Sequence, residues 1–238
     1  MNEHEIMPYF YQLYDKIIAE DFVIDKTGAK QVELLGVQLE LDPLQSVLKF
    51  GNAKQTSIKY AKKEIEWYDS QDLHVDEIAP HAKLWDSVCS KHMKVNSNYG
   101  WAIYSEENYF QFEHCIDELL KNKNSRRAEM IYQRPSMWRD YKKDGMNDFI
   151  CTDGVQLFIR NNKLIYVIKQ RSCDFIYGFF NDFYWHCTVY SRAIKALKSY
   201  NLDVGKIAYF IFSLHVYEKH FKLLENIVKN KLEDNNGL

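Results

Sequence analysis

Proline is scarce and stops early: the last of the four prolines is Pro135, and no Gly/Ser-rich linker or internal repeat divides the 238 residues. A single domain over residues 1–238 is therefore expected. The five cysteines (Cys89, Cys115, Cys151, Cys173, Cys187) are odd in number, scattered, and contain no CxxC pair. That excludes a disulfide scaffold or a zinc ribbon and points to a reduced cytoplasm. The N-terminus has neither the basic start nor the apolar stretch of a signal peptide, and no apolar run approaches membrane-spanning length. Excess charge of one sign is missing too. A formal net charge of -2 gives no general attraction to nucleic acid, so an anionic ligand must be held by local Arg and Lys residues. No HExxH or carboxylate facial triad occurs, and His220 lies too far from His215 to join it on one helical face, so no metal is expected.

What is present is apolar surface in quantity. With 46% hydrophobic and 15% aromatic residues the chain can build a substantial core. Helical spacing of Ile6, Tyr9, Phe10, Leu13, Ile17 and Ile18 predicts a helix over 3–21, and Ile58, Ala61, Ile65 and Tyr68 another over 56–69. A third, over 106–121, turns Phe110, Phe112, Cys115, Ile116 and Leu119 inward. Strands are expected at Val32–Leu41, Met130–Tyr132, Val155–Ile159, Leu164–Lys169 and 206–213, with Asn161-Asn162 as a hairpin turn. Helices over 182–199 and 217–230 complete an α+β reading. Its strands are too apolar for either sheet face to be solvated, which a second protomer would satisfy.

The segment Gln170-Arg171-Ser172-Cys173-Asp174, with Gly178 and Asn181-Asp182 after it, stands where a strand turns into a helix. An arginine fork, a hydroxyl and two carboxylates there suit a phosphorylated polar ligand. Taken singly, the other candidates have plain readings. Cys151 reads as a small buried hydrophobe unless arginines beside it favour the thiolate. Asp182 reads as a helix N-cap, Glu64 as a solvated charge, and Trp85 and Tyr99 as core. Arg126-Arg127, at the start of a strand, point to opposite faces, so using both on one ligand within a protomer takes an unusual backbone, and offering them across a subunit interface makes sense of the pair. His215 and Tyr217, two apart at a strand end, share a face and could hold a sugar hydroxyl.

In order along the chain, these residues resemble the thymidylate synthase family from about Asp25 to Phe221. The likeness is densest at Ser97-Asn98-Tyr99-Gly100-Trp101-Ala102-Ile103, Ser125-Arg126-Arg127, Arg134-Pro135-Ser136-Met137, Lys143-Asp144-Gly145-Met146, Cys151-Thr152, Val155-Gln156 and Leu214-His215-Val216-Tyr217. It is closer still to the branch in T-even-type bacteriophages that hydroxymethylates deoxycytidylate. The resemblance implies a thymidylate synthase-like fold, a mixed twisted sheet flanked by helices. It also implies a homodimer whose sheets pack back to back and complete each other's active sites.

Carried over, the resemblance makes Cys151 the nucleophile and Glu64 the general acid/base. Arg171 and Ser172 hold the 5′-phosphate with the partner protomer's Arg126 and Arg127. Lys26 stands where the family uses arginine. Cys173 belongs to the same nucleotide-binding segment, and Asp174 serves both nucleotide and folate. Trp85 and Tyr99 line the folate side, and His215 and Tyr217 bind the 3′-hydroxyl. Asp182 falls where the family's asparagine reads uracil, which points to a cytosine nucleotide. The implied reaction uses 5,10-methylenetetrahydrofolate and water to make 5-hydroxymethyl-dCMP through a covalent Cys151 adduct, for viral DNA precursors. The implied partners are a nucleotide and a folate, with no direct nucleic acid and no membrane. Thr152 stands where thymidylate synthases have histidine, and the tail Glu233–Leu238 lacks their hydrophobic closing segment. The other readings are hydroxymethylation of dUMP or CMP, thymidylate synthesis, and a non-enzymatic nucleotide-binding regulatory module.

Overall fold

A computed structural model describes residues 2–236, with side chains to residue 230; the tail Glu233–Leu238 lies outside the described side chains. The helices are α1 (Asn2–Ile18), α2 (Ile58–Ser70), α3 (Leu84–Val88), α4 (Tyr99–Tyr104), α5 (Gln111–Lys121), α6 (Met137–Asp140), α7 (Gly178–Ala196) and α8 (Phe221–Asn236). The strands are β1 (Val23–Ile24), β2 (Lys30–Leu41), β3 (Lys49–Phe50), β4 (Lys54–Gln55), β5 (Glu129–Ile131), β6 (Thr152–Arg160), β7 (Lys163–Gln170), β8 (Cys173–Asp174) and β9 (Asp203–Tyr217).

Seven strands form one sheet in the order β1-β2-β9-β7-β6-β5, with β8 also beside β9. The sheet is mixed: β9 runs parallel to β7 and β8, and the other pairs are antiparallel. The parallel connection needs a crossover, and α7 supplies it. β6 and β7 form the expected hairpin, Asn161 and Asn162 both taking the left-handed conformation at φ 49 and 59. The fold is α+β, as the alternation of the segments predicts.

β7 and β8 behave as one interrupted strand. Gln170 pairs with Ile211 and Cys173 with Leu214, so the register on β9 is unbroken while Arg171 and Ser172 leave the ladder. The Arg171 N–H turns sideways to the Cys151 carbonyl at 2.8 Å. That detour sets the residue before β6 beside the gap in β7–β8.

On the inner face Tyr166, Ile168, Gln170, Ile207, Tyr209 and Ile211 are fully buried. Phe179 and Phe183 of α7 lie against Tyr209, with ring centroids 5.5 and 6.4 Å away. The outer face keeps apolar side chains in the open: Leu35 is 73% exposed and Phe212 53%. At the sheet edge Gln111 satisfies both backbone groups of Ile131, accepting its N–H at 2.7 Å and donating to its carbonyl at 2.8 Å. Helices α2 and α4 meet so closely that a Cβ on Gly100 would lie 1.8 Å from the Tyr68 carbonyl oxygen. Only glycine fits there.

Several expectations are corrected. The 106–121 helix is broken at Tyr109 and Phe110, both left-handed at φ 62 and 47, and Phe110 faces out at 45% exposure. Ile58 is likewise exposed at 41%. The apolar strand near the C-terminus runs on to Tyr217, so α8 begins at Phe221. Helix α7 begins at Gly178, four residues before its expected start. Gly178-Phe179-Phe180 carries no one-sided pattern, which hides the first turn.

Candidate active site

Cys151 lies at the end of a loop fixed from below by Asp148. That buried carboxylate accepts the Asn96 N–H at 2.6 Å, the Ser97 N–H at 2.7 Å and the Ser97 hydroxyl at 2.7 Å. Across the β7–β8 gap, Arg171 Nη2 stands 3.7 Å from Cys151 Sγ and donates to the Phe149 carbonyl at 3.0 Å. Its Nε reaches the Ile150 carbonyl at 3.3 Å, and Nη1 has no hydrogen-bond partner among the described residues. Ser172, half-buried, occupies the same gap. A guanidinium edge and a hydroxyl are thus presented together, as phosphate oxygens require.

The expectation that arginine makes Cys151 a ready thiolate is reversed. Burial pushes its thiol up to about 12, against the pull of Arg171 and with the help of the Asp182, Asp148 and Asp153 charges. Desolvation of the charged form outweighs one cation.

Asp182 is not a helix cap. It lies inside α7, and the α7 N-cap position is Tyr177, which makes no side-chain cap bond. Asp174 ties the turn that leads into the helix, its Oδ1 accepting the Ile176 N–H at 2.9 Å and the Tyr177 N–H at 3.3 Å. Asp182 Oδ2 accepts from Gln170 Nε2 at 2.7 Å. Burial lifts Asp182 to about 7, while the Gln170 hydrogen bond pulls it down and Asp174 adds to the rise.

Glu64 belongs to the same centre. It is 6% exposed on α2 and accepts the Tyr60 hydroxyl at 2.7 Å. Burial lifts it to about 8; the Tyr60 bond lowers it and the Asp182 charge raises it. Tyr60 in turn accepts the Trp85 indole N–H at 3.0 Å. Sequence reasoning missed Tyr60, although a tyrosine four residues before a helical glutamate is a legible pair.

Trp85 and Tyr99 are buried, at 7% and 4% exposure. Tyr99 stacks on Tyr68 at 5.3 Å between centroids and accepts from the Thr152 hydroxyl at 3.2 Å. Cys173 is also buried, and burial raises its thiol well above the usual range, so its side chain is withdrawn from ligand.

A second group lies toward the end of β9. His215 and Tyr217 share a face with centroids 5.0 Å apart. Burial lowers the His215 pKa, with the Asp174, Glu33 and Asp25 charges opposing it. Burial raises the Tyr217 pKa, the Asp25, Asp174 and Cys151 charges add to the rise, and Arg171 opposes it. Lys54, half-buried on β4 and 4.1 Å over the Tyr177 ring, also feels Asp174. Sequence reasoning missed it because the short β3–β4 hairpin has no periodicity. Lys26 is exposed at the tip of a turn whose Asp25 carboxylate accepts the Thr27 and Ala29 N–H groups at 2.7 and 2.9 Å.

Arg126 and Arg127 stand apart. They precede β5 instead of starting it, so strand alternation does not orient them. Arg127 is 85% exposed at the side chain, with Nε 3.7 Å from Glu118. The chain brings neither to its own Cys151. Among the described residues, no group of three or more His, Cys, Asp or Glu could hold a metal ion, and no helix is long and apolar enough to cross a membrane.

The deoxycytidylate 5-hydroxymethyltransferase of Enterobacteria phage T4 is 42% identical over 212 residues, covering 87% of this chain and 84% of the relative. The enzyme of the same name from Enterobacteria phage T6 matches to the same extent. A thymidylate synthase of Fusobacterium nucleatum is 26% identical over 214 residues, 88% of this chain and 75% of the relative. The thymidylate synthase family profile matches residues 9–237, and the chain belongs to that family.

Proposed function

We propose that this protein is an enzyme that transfers a one-carbon unit from 5,10-methylenetetrahydrofolate to carbon 5 of dCMP and completes it with water, giving 5-hydroxymethyl-dCMP and tetrahydrofolate. The observation that carries this reading is Asp182, a carboxyl group held by Gln170 in the same centre as Cys151. Its protonated form donates to cytosine nitrogen 3 and accepts from the amino group, while its ionised form, with acceptors only, opposes the uracil carbonyl. The phage relatives' name supports the same substrate.

In this reading Arg171 and Ser172 take the 5′-phosphate, His215 and Tyr217 the 3′-hydroxyl, and Lys26 approaches from its turn. Cys151 Sγ bonds to ring carbon 6 and makes carbon 5 nucleophilic. The folate supplies the methylene carbon and leaves as tetrahydrofolate. Asp174 fits the folate side, since only its Oδ1 is tied to backbone; Trp85 and Tyr99 shape that wall from below. Glu64, half-protonated near pH 8, moves protons to and from the reacting groups.

Residues 1–238 act as one catalytic domain, working as a dimer in the host cytoplasm on viral DNA precursors. The dimer reading rests on the open apolar face around Leu35, Phe210 and Phe212, and on arginines that find no site in their own chain. The test is one panel: dCMP, CMP and dUMP, each with methylenetetrahydrofolate, with products identified by mass. The expected product is 5-hydroxymethyl-dCMP. Steady dihydrofolate formation with dUMP would make the protein a thymidylate synthase, and no turnover of any nucleotide would leave a binding module.

A further inference from the structure

The two oxygens of Glu64 are in different situations. Oε1 accepts the Tyr60 hydroxyl at 2.7 Å, and the Tyr60 oxygen accepts the Trp85 indole N–H at 3.0 Å. An indole N–H can only donate, so the direction of this chain is fixed. Tyr60 has one proton, and with its oxygen already accepting, that proton goes to Glu64 Oε1. The parts are held firmly. Tyr60 precedes Glu64 by one helical turn on α2. Trp85 is buried edge-on against Trp67, with centroids 4.9 Å apart. Oε2 has no hydrogen-bond partner among the described residues.

We propose that Tyr60, held by Trp85, is a positioning residue for the hydration step: it confines the transferable proton of Glu64 to Oε2, the one oxygen left to meet water at the reacting carbon. This inference rests on the reading of Glu64 as the acid/base group. In the hydration step the water oxygen bonds to the exocyclic methylene carbon while its proton passes to Oε2. The π pair moves to ring carbon 5, then forms the carbon 5–carbon 6 double bond and expels Cys151 Sγ. A carboxyl free to rotate would offer either oxygen and spend part of its time facing away. The Tyr60 hydrogen bond also favours the ionised form that accepts this proton, against the burial that disfavours it. The other titratable groups facing Glu64 are Tyr68 from α2 and Asp182 from α7.

Tyr60→Phe removes one oxygen and keeps the ring. Two readouts are needed: the titration of Glu64 followed by NMR on glutamate-labelled protein, and kcat and KM for dCMP across pH. The expected result is an upward move of the Glu64 midpoint by about one pH unit, as for a lost hydrogen bond to a charged group. With it, kcat should drop about tenfold while KM for dCMP stays within about twofold. An unmoved midpoint with unchanged kcat would overturn the proposal, as would a rise in KM alone. Should Tyr60→Phe not fold, Trp85→Phe carries the same test, with a smaller upward midpoint shift expected and an unmoved midpoint counting against the proposal. If the unaltered protein turns over no dCMP, the proposed function fails, yet the NMR midpoints still decide whether Tyr60 governs Glu64.

Discussion

Gln170 donates its side-chain N–H to Asp182 Oδ2 at 2.7 Å from a fully buried position on β7. The bond fixes one oxygen and leaves Oδ1 for a ligand. It also pulls against burial, so that Asp182 changes protonation near neutral pH instead of far above it.

Asp182→Asn should therefore reverse base preference. The amide donates to the uracil carbonyl and accepts from the ring N–H, and it cannot become the acceptor-only carboxylate that opposes uracil. A mismatched buried pair costs about 1–3 kcal/mol, so the dCMP-to-dUMP ratio of kcat/KM should drop roughly ten- to a hundredfold. An unchanged ratio would remove Asp182 from base reading. Because Asp182 lies inside α7, loss of a cap cannot account for the change.

Affinity for dCMP should depend on pH through the same group. Asp182 is protonated below about 7 and ionised above it, and the protonated form matches cytosine. Calorimetry on Cys151→Ala should give nearly constant affinity below that pH. Above it, affinity should weaken by about tenfold per unit. Affinity that strengthens toward alkaline pH would assign the wrong protonation state to the complex.

Stability should move the same way. Burial raises Asp182 and Glu64 above their unfolded values, so the folded chain holds more protons between about pH 4 and the folded pKa values near 7 and 8. Stability is then greatest below that window and is lost as pH rises, with a slope of up to about 1.4 kcal/mol per unit for each group. Denaturant melts of the unaltered chain and the Glu64→Gln, Asp182→Asn pair should show a flatter dependence in the pair.

Cys151→Ala should abolish turnover and leave nucleotide binding nearly intact, since phosphate and base contacts lie on other residues. Cys173→Ala should keep most activity and cost stability instead, because that side chain is buried at 1% exposure. A dead Cys173→Ala variant with native stability would exchange their roles.

Mixing Arg126→Ala with Cys151→Ala chains should restore activity in heterodimers. One of the two sites then has an intact cysteine and an intact arginine from its neighbour. Recovery approaching a quarter of normal is expected from random pairing, counting one good site in half the dimers. Subunit exchange without recovery would place Arg126 outside the partner's site.

The framework was legible where periodicity was strong. Alternation in 155–169 and the Asn161-Asn162 turn gave the β6–β7 hairpin, and one-sided helices at α1 and α2 followed from spacing alone. Short pieces were not legible: β3, β4, β8 and α6 are too brief to show a period, so Lys54 went unnoticed. The candidate site residues were named through the ordered resemblance, but their environments were not legible. That Gln170 holds Asp182 and that burial overrides Arg171 at Cys151 depend on contacts between residues distant in sequence. Hydrogen-bond direction through Trp85, Tyr60 and Glu64 is of the same kind.

Gln111 has a bearing on assembly that its local geometry does not announce. A strand at the rim of a sheet is a template for another chain, and β5 has that position. With both backbone groups of Ile131 already matched by one side-chain amide, that rim is closed to recruitment. Copies of this chain cannot extend the ladder at Ile131, and the opposite rim, β1, offers a template only two residues long, so both edges give little hold for growth into fibres. Gln111→Ala should thus register first as aggregation on storage, before any loss of catalysis.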